Sequence, residues 1–251
     1  MQNETLSHMN WRSVGLYYAL ACLWSWPFFW RRDMLGYPDA PLDSMHKVFI
    51  HWGMMWGPGI AALVCFSVFR RSHRRTINLG GTSWARSVVF FVIPFLLMTA
   101  FHAHPLYGYD VLPLAAAFPV LISVLGEELG WRGFLQDALR PLRPVKRYIL
   151  IGVMWEFWHF TTRVSHGFSW HRITTTLAIS YTAVIALSFI FGYATERSKS
   201  VLVAASLHLF VDILLNNLDL YMPLTLTALI WVGLMITWPT AKSDQKVISS
   251  A

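Results

Sequence analysis

The sequence predicts an all-α fold: a polytopic transmembrane helical bundle of about eight spans with both termini in the cytoplasm. Hydrophobic residues make up 55% of the 251 residues and charged residues only 13%, a balance that is typical of chains lying in a bilayer. Long uncharged runs recur along the whole chain, and several approach the roughly 20 apolar residues that a spanning helix needs. Short basic clusters separate these runs. We therefore expect residues 1–251 to form one integral membrane domain.

Eight apolar runs, each bounded by charges or turn formers, are the candidate spans. In chain order they cover residues 13–30, 48–69, 87–101, 111–139, 148–160, 174–193, 201–218 and 224–238. The third and fifth runs are short, so the count of eight is approximate. The first run ends in two arginines without a small-residue cleavage site, which favours a retained helix over a signal peptide.

The distribution of Lys and Arg gives the orientation, because basic loops stay in the cytoplasm. With the amino terminus inside, 14 of the 20 basic residues fall on the cytoplasmic side and 5 on the other. The net charge of +7 is spread over short loop clusters rather than one face, so we expect membrane lipid as a partner and no nucleic acid. A short, basic chain of this kind is expected in a bacterial cytoplasmic (inner) membrane. The oligomeric state is not indicated.

The fourth run contains an acidic pair followed by an arginine: Glu127, Glu128 and Arg132. Ionisable side chains within spans are costly to bury and are therefore functional candidates. On an α-helix Glu128 and Arg132 are four residues apart on one face, whereas Glu127 points about 100° away. Glu128 and Arg132 would then form a structural ion pair, and Glu127 would be a general base. The alternative is that all three only hold helices together.

The fifth and seventh runs contribute further ionisable residues. His159 alone is more often a packed residue than a catalyst. His208 and Asp212 share a helical face at four-residue spacing and could bind a metal, orient water or only satisfy each other. Glu156, three residues before His159, would either tune that histidine or pair with an arginine such as Arg163.

Four of these groups share a depth in the predicted bundle: Glu127, His159, His208 and Asp212. At about 1.5 Å per residue they lie roughly 14 to 20 Å from the nearest predicted cytoplasmic charge. A shared polar cavity would explain how all four avoid lipid. Carboxylates and imidazoles together support activation of water, so hydrolysis is the expected class of reaction.

Over residues 111–218 the sequence resembles the CPBP family of intramembrane metalloproteases. This family includes the CAAX prenyl endopeptidases, the Abi proteins and proteins like lysostaphin resistance protein A. Three ordered motifs carry the resemblance: E-E-x-x-x-R, an aromatic residue four positions before His, and His four positions before Asn. Here they are Glu127-Glu128 with Arg132, Trp155 with His159, and His208 with Asp212. The third motif departs from the family pattern, because aspartate replaces the asparagine.

The resemblance implies an endopeptidase that cleaves a membrane-associated peptide or protein. Glu127 and His159 would activate the attacking water, and His208 with residue 212 would stabilise the oxyanion. An ionised Asp212 cannot donate a hydrogen bond, so it would be protonated, orient His208 or ligate a metal. Zinc is one expected cofactor, held by the four catalytic candidates Glu127, His159, His208 and Asp212. A metal-independent glutamate mechanism is slightly preferred.

Two other functions fit the same residues. An ion-coupled transporter also needs buried carboxylates and histidines, but the sequence has no internal repeat and no evident pair of broken helices. A non-proteolytic scaffold of the same family is the second alternative, and Asp212 is where a loss of activity would first be visible. Cleavage of a peptide would separate both from a peptidase.

Overall fold

The computed structural model describes residues 9–31, 45–73, 75–101, 113–164, 170–216 and 221–239. Within these ranges the chain is helical, with an isolated β-bridge between Asn78 and Ser200 and no strand. The helices are α1 (Trp11–Arg31), α2 (Met45–Met55), α3 (Gly57–Val68), α4 (Trp84–Ala100), α5 (Pro113–Glu128), α6 (Gln136–Ala138), α7 (Pro144–Val164), α8 (Trp170–Ser198), α9 (Val201–Asn216) and α10 (Tyr221–Ile236). A π-helical segment, Leu129–Leu135, joins α5 to α6.

The all-α prediction is confirmed for the described residues, and each of the eight predicted runs overlaps a helix there. One helix, Thr174–Ser198 within α8, is by itself long and apolar enough to cross a membrane. The bent pair α2 and α3 would be a second such span if the two cross together, while α4, α9 and α10 are apolar but shorter. The count of about eight spans stays a prediction. So does the cytoplasmic position of both termini, which lie outside the described residues.

The run predicted over 48–69 is broken, with α2 and α3 meeting at an angle of 47°. A glycine of α3 packs directly on α5 at this break, since a Cβ added to Gly59 would lie 2.8 Å from the carbonyl oxygen of Gly126. Another close approach joins α3 to the π-helical segment, where a Cβ on Gly130 would lie 2.4 Å from Pro58 Cβ. These approaches bring the backbone of α3 against the segment that carries the acidic pair.

Two apolar clusters hold the helices that surround this segment. In the first, the buried rings of Tyr17, Trp131, Phe134 and Trp158 join α1 and α7 to the π-helical segment. The second packs α4, α5 and α9 together through buried side chains such as Leu209. Helix α5 belongs to the second cluster and continues into the π-helical segment of the first. The acidic pair at the end of α5 therefore lies between α7 and α9.

Large apolar side chains also face outward on α1, α3, α4, α7, α8 and α10. Leu23 and Trp30, for example, are 71% and 79% exposed. Soluble monomers keep such surface limited, whereas lipid-facing helices are covered with it. This outer surface is what a helical bundle in a bilayer requires.

Candidate active site

A cavity of about 250 Å³ lies between α2, α5, α7 and α9. Its polar wall residues are His51, Ser123, Glu127, His159, His208 and Asp212. The structure therefore brings all four predicted catalytic residues to one cavity, as the common depth of these residues in the sequence suggests. Their chemical roles stay predictions at this point.

Glu127 lies on the cavity wall near the end of α5, with 4% of its surface exposed. Its Oε2 accepts a hydrogen bond of 3.0 Å from the indole Nε1 of Trp155 on α7. A carboxylate offers about four lone-pair positions, so Glu127 retains the capacity to accept from a water molecule. The predicted base thus reaches the cavity with its orientation set by a protein donor.

Glu128 is the next residue but has a different environment. Its Oε1 lies 2.8 Å from His208 Nδ1, and its Oε2 lies 3.4 Å from Arg132 Nε. The Glu128–Arg132 ion pair expected from the sequence is present. The Arg132 guanidinium is buried between two rings, with its central carbon 4.7 Å from the Trp155 centroid and 5.2 Å from that of Phe191. Glu128 therefore holds both the arginine and a predicted catalytic histidine.

The π-helical segment places Arg132 within reach of Glu128. Single turns of π-helix inside α-helices often occur at functional sites, and this one begins directly after the acidic pair. Its residues Trp131 and Phe134 are fully buried in the aromatic core. The sequence predicts a regular α-helix here, so this π-helical turn is not predicted.

His159 is oriented by its own helix. Its Nδ1 lies 3.1 Å from the backbone carbonyl of Trp155, one turn earlier in α7. Because a carbonyl oxygen only accepts, Nδ1 carries the proton, and in the neutral ring Nε2 carries the lone pair. The ring of Trp158, whose centroid is 4.6 Å from that of His159, supports it from one side. His159 is thus suited to accept a proton or to orient water.

His208 and Asp212 both lie on the cavity wall, one turn apart on α9. The contact with Glu128 fixes a proton on His208 Nδ1, because an ionised carboxylate only accepts. The charge of Asp212 also acts on that of His208. A doubly protonated ring at this position would present an Nε2–H donor while two carboxylates compensate its charge.

Sequence reasoning missed two polar residues of the cavity, His51 and Ser123. His51 has the same sequence signal as His159, an ionisable side chain inside an apolar run, and could have been found by it. No comparable signal marks Ser123, because hydroxyls are common in apolar helices. Glu156 is buried on α7 but does not line this cavity, and its charge acts on Tyr181 of α8. The side chain of its other suggested partner, Arg163, lies outside the described residues.

Carboxylate oxygens and imidazole nitrogens are ligands that zinc accepts. Among the described residues, however, no group of three or more His, Cys, Asp and Glu side chains is arranged to hold a metal ion. Nδ1 of His208 faces Glu128 and that of His159 faces a carbonyl, so Nε2 of each ring is the nitrogen that could meet a metal. Zinc therefore stays a prediction and carries no chemical step below.

A larger apolar groove of about 890 Å³ lies beside the polar cavity, between α8, α9 and α10. Phe191 lines this groove, and its ring centroid is 5.8 Å from that of His208. Leu207 and Val211 of α9 also line it, next in sequence to the two polar residues of that helix. The apolar groove and the polar cavity therefore share the α9 wall.

Comparison with known proteins points to the same residues. A family model described as type II CAAX prenyl endopeptidase, Rce1-like, matches residues 109–214, nearly the segment on which the three motifs lie. A CAAX prenyl protease 2 of Methanococcus maripaludis is 26% identical over 117 residues, which cover 43% of this chain and 41% of that protein. The match thus spans less than half the length of that relative. No solved structure matches this chain.

The matched segment contains every motif residue named above, and the structure gathers the acidic and histidine residues of the three motifs around one cavity and its buried wall. Proteins of the matching family are membrane proteins, in agreement with the apolar outer surface of these helices. This match supports the resemblance to the CPBP family of CAAX proteases and, together with the apolar outer surface, supports an integral membrane location.

Proposed function

We propose that this chain is a membrane-embedded endopeptidase that hydrolyses a peptide bond of a membrane-associated peptide or protein. The observation that carries the proposal is the convergence of Glu127 and His159 from two helices on one small, mostly buried cavity. Both are groups that take protons from water, and both have fixed orientations. Proton transfer by such groups typically accelerates a reaction by about 10²- to 10⁴-fold.

In the proposed reaction Glu127 takes a proton from a water molecule as the water oxygen attacks the carbonyl carbon of the scissile bond. His159 orients the water through Nε2. The tetrahedral intermediate collapses when the C–N bond breaks, and the protonated Glu127 returns the proton to the leaving nitrogen. The products are a new carboxyl group and a new amine.

The oxyanion that forms during attack is proposed to be stabilised by His208. Its Nε2–H would donate to the developing negative charge, while Glu128 holds Nδ1 and keeps the ring in place. Asp212 would act by compensating the charge of His208 and by orienting it, since an ionised aspartate cannot itself donate. This assigns the family's asparagine position a different role here.

The apolar groove supports a substrate that carries a hydrophobic anchor. Its volume of about 890 Å³ is within the range of sites that enclose ligands the size of drugs or cofactors, about 300 to 1,000 Å³. It shares the α9 wall with the polar cavity, so an anchor bound there would bring the adjoining peptide near His208. We propose that the anchor is a lipid group attached to the substrate.

The test uses the full chain, purified in detergent, and an internally quenched peptide with and without a carboxy-terminal farnesyl group. Glu127→Gln keeps the shape of the side chain but removes the base, and should reduce cleavage by about 10²- to 10⁴-fold. Glu196→Gln is the matched control: Glu196 pairs with Arg147 and Lys199 outside the cavity, so this variant should cleave like wild type. In ¹⁸O-water the new carboxyl group should gain one labelled oxygen.

Other outcomes would point elsewhere. A folded wild-type chain that cleaves no peptide but carries proton flux in liposomes, lost in Glu127→Gln, would indicate a transporter. Neither cleavage nor flux would indicate a scaffold. Metal analysis of the active sample, with and without chelator, separates the glutamate mechanism from a zinc one: the glutamate mechanism predicts unchanged cleavage after chelation.

A further inference from the structure

We infer that Trp155 is a positioning residue whose indole N–H fixes the carboxylate of Glu127 for catalysis. This inference rests on the proposed function, in which Glu127 is the base. The contact itself is direct: Trp155 Nε1 donates to Glu127 Oε2 at 3.0 Å, between α7 and α5. What matters is the indole N–H, the one polar group of the side chain, and not the aromatic ring.

Trp155 is held rigidly enough to act in this way. Its side chain is 2% exposed, and the guanidinium of Arg132 lies over its ring at 4.7 Å. The ring of His208 meets it at 5.2 Å with an interplanar angle of 74°. A second connection runs through the backbone, since the Trp155 carbonyl accepts from His159 Nδ1. Trp155 thus contacts the base Glu127, the histidines His159 and His208, and Arg132 behind them.

The physical reason for a fixed donor lies in the carboxylate itself. The terminal torsion of a glutamate side chain is broad, so the carboxylate would otherwise turn about its last bond. A donor on Oε2 sets the plane of the group and leaves Oε1 to face a water molecule. A hydrogen bond to an ionised group is stronger than one between neutral groups, and more so in a buried site. A base held in this way takes the proton from a water molecule in one fixed position.

Trp155→Phe tests the inference, because phenylalanine keeps an aromatic ring and lacks the N–H. The matched control is Trp238→Phe, which lies away from the cavity. Trp238 is also buried, but its Nε1 donates to Oγ1 of Thr82 at 2.9 Å. Both substitutions replace a buried indole by a smaller ring and remove one hydrogen bond. Only Trp155→Phe removes a bond to Glu127.

We expect kcat for cleavage to fall by about 10- to 100-fold in Trp155→Phe, with KM within about twofold of wild type. Trp238→Phe should keep kcat within about threefold. Equal losses in the two variants, or a change confined to KM in Trp155→Phe, would overturn the inference, because either result is what lost packing produces.

A second measurement does not depend on activity. In protein labelled with ¹⁵N-tryptophan, the two phenylalanine variants assign the indole N–H signals of Trp155 and Trp238 among the 13 tryptophans. Glu127→Ala should shift the Trp155 signal and leave that of Trp238 in place. An unmoved Trp155 signal would refute the hydrogen bond. If wild type cleaves nothing, the proposed function fails, while this spectrum still decides whether the indole holds Glu127.

Discussion

The close packing of α3 on the π-helical segment makes Gly130→Ala the most informative stability variant. A Cβ at residue 130 would lie 2.4 Å from Pro58 Cβ and 2.6 Å from the Pro58 carbonyl carbon and oxygen. Ordinary contact begins at 3.4 Å, so α3 and the π-helical segment must separate by about 1 Å. Two of the three close atoms belong to the backbone, and no side-chain rotation can relieve the overlap.

The expected cost follows from two opposing effects. Inserting a methyl group into a packed core typically costs about 1 to 3 kcal/mol, and a rigid backbone neighbour favours the upper end. Alanine recovers about 1 kcal/mol over glycine inside a helix. The free energy of unfolding should therefore fall by about 2 kcal/mol, which corresponds to a melting temperature lower by about 4 to 8 °C in a chain of this size.

Thermal unfolding of the purified chain in one detergent, followed by tryptophan fluorescence, measures this change. Gly15→Ala is the matched control, because a Cβ on Gly15 in α1 has nothing within 4 Å. It should melt at the wild-type temperature or slightly above. Peptide cleavage adds a second readout: a displacement of about 1 Å near Glu127 can cost about 100-fold in rate.

The prediction fails in a definite way. If Gly130→Ala melts within about 1 °C of wild type, or rises together with Gly15→Ala, the backbone of α3 does not press on the π-helical segment. Lower stability with unchanged kcat would instead mean that α3 supports the fold without setting the position of the acidic pair.

Three other substitutions have clear expected outcomes. Arg132→Met should lower the free energy of unfolding by about 3 kcal/mol, because the fully buried Glu128 loses its arginine partner and keeps only His208; a change below about 1 kcal/mol in thermal melts would contradict this. Asp137→Ala removes the acceptor of two hydrogen bonds from Thr76. Trypsin should then cut the neighbouring basic loop several-fold faster than in wild type. Equal rates of cleavage would show that these two hydrogen bonds do not hold the loop. Asp212→Asn and Asp212→Ala should both reduce cleavage, by about 100-fold or more in the alanine variant, because neither side chain compensates the charge of His208; wild-type activity in Asp212→Asn would show that residue 212 only orients His208.

The apolar periodicity of the sequence predicts the helical segments well, because lipid and helix packing both demand long uncharged runs. The run over 13–30 corresponds to α1 (Trp11–Arg31), and the run over 224–238 corresponds to α10 (Tyr221–Ile236). Depth along the helices also predicts the shared cavity, because groups at one level in a bundle must meet or face lipid. Both arguments use only distances along the chain.

Features that depend on contacts between distant segments are not predicted. The break at Trp56 and the π-helical turn after Glu128 lie where α3 closely approaches α5 and the π-helical segment, and composition does not reveal that approach. The bond from Trp155 to Glu127 likewise joins residues 28 positions apart on different helices. His51 differs from these cases, since its signal is present in the sequence and only its helix partner is hidden.

The two adjacent glutamates show how contacts between helices give neighbouring residues different proposed roles. Sequence geometry separates Glu127 and Glu128 by about 100° around the helix, which suggests two roles but not what each carboxylate meets. Glu128 has one oxygen on His208 and the other 3.4 Å from Arg132 Nε, and it is fully buried outside the cavity lining, so it is poorly placed to take a proton from water. Glu127 receives an indole donor on one oxygen and faces the cavity. The proposed roles of the two glutamates therefore depend on their different partners. Glu128→Gln should release His208 and impair oxyanion stabilisation, while Glu127 stays in place.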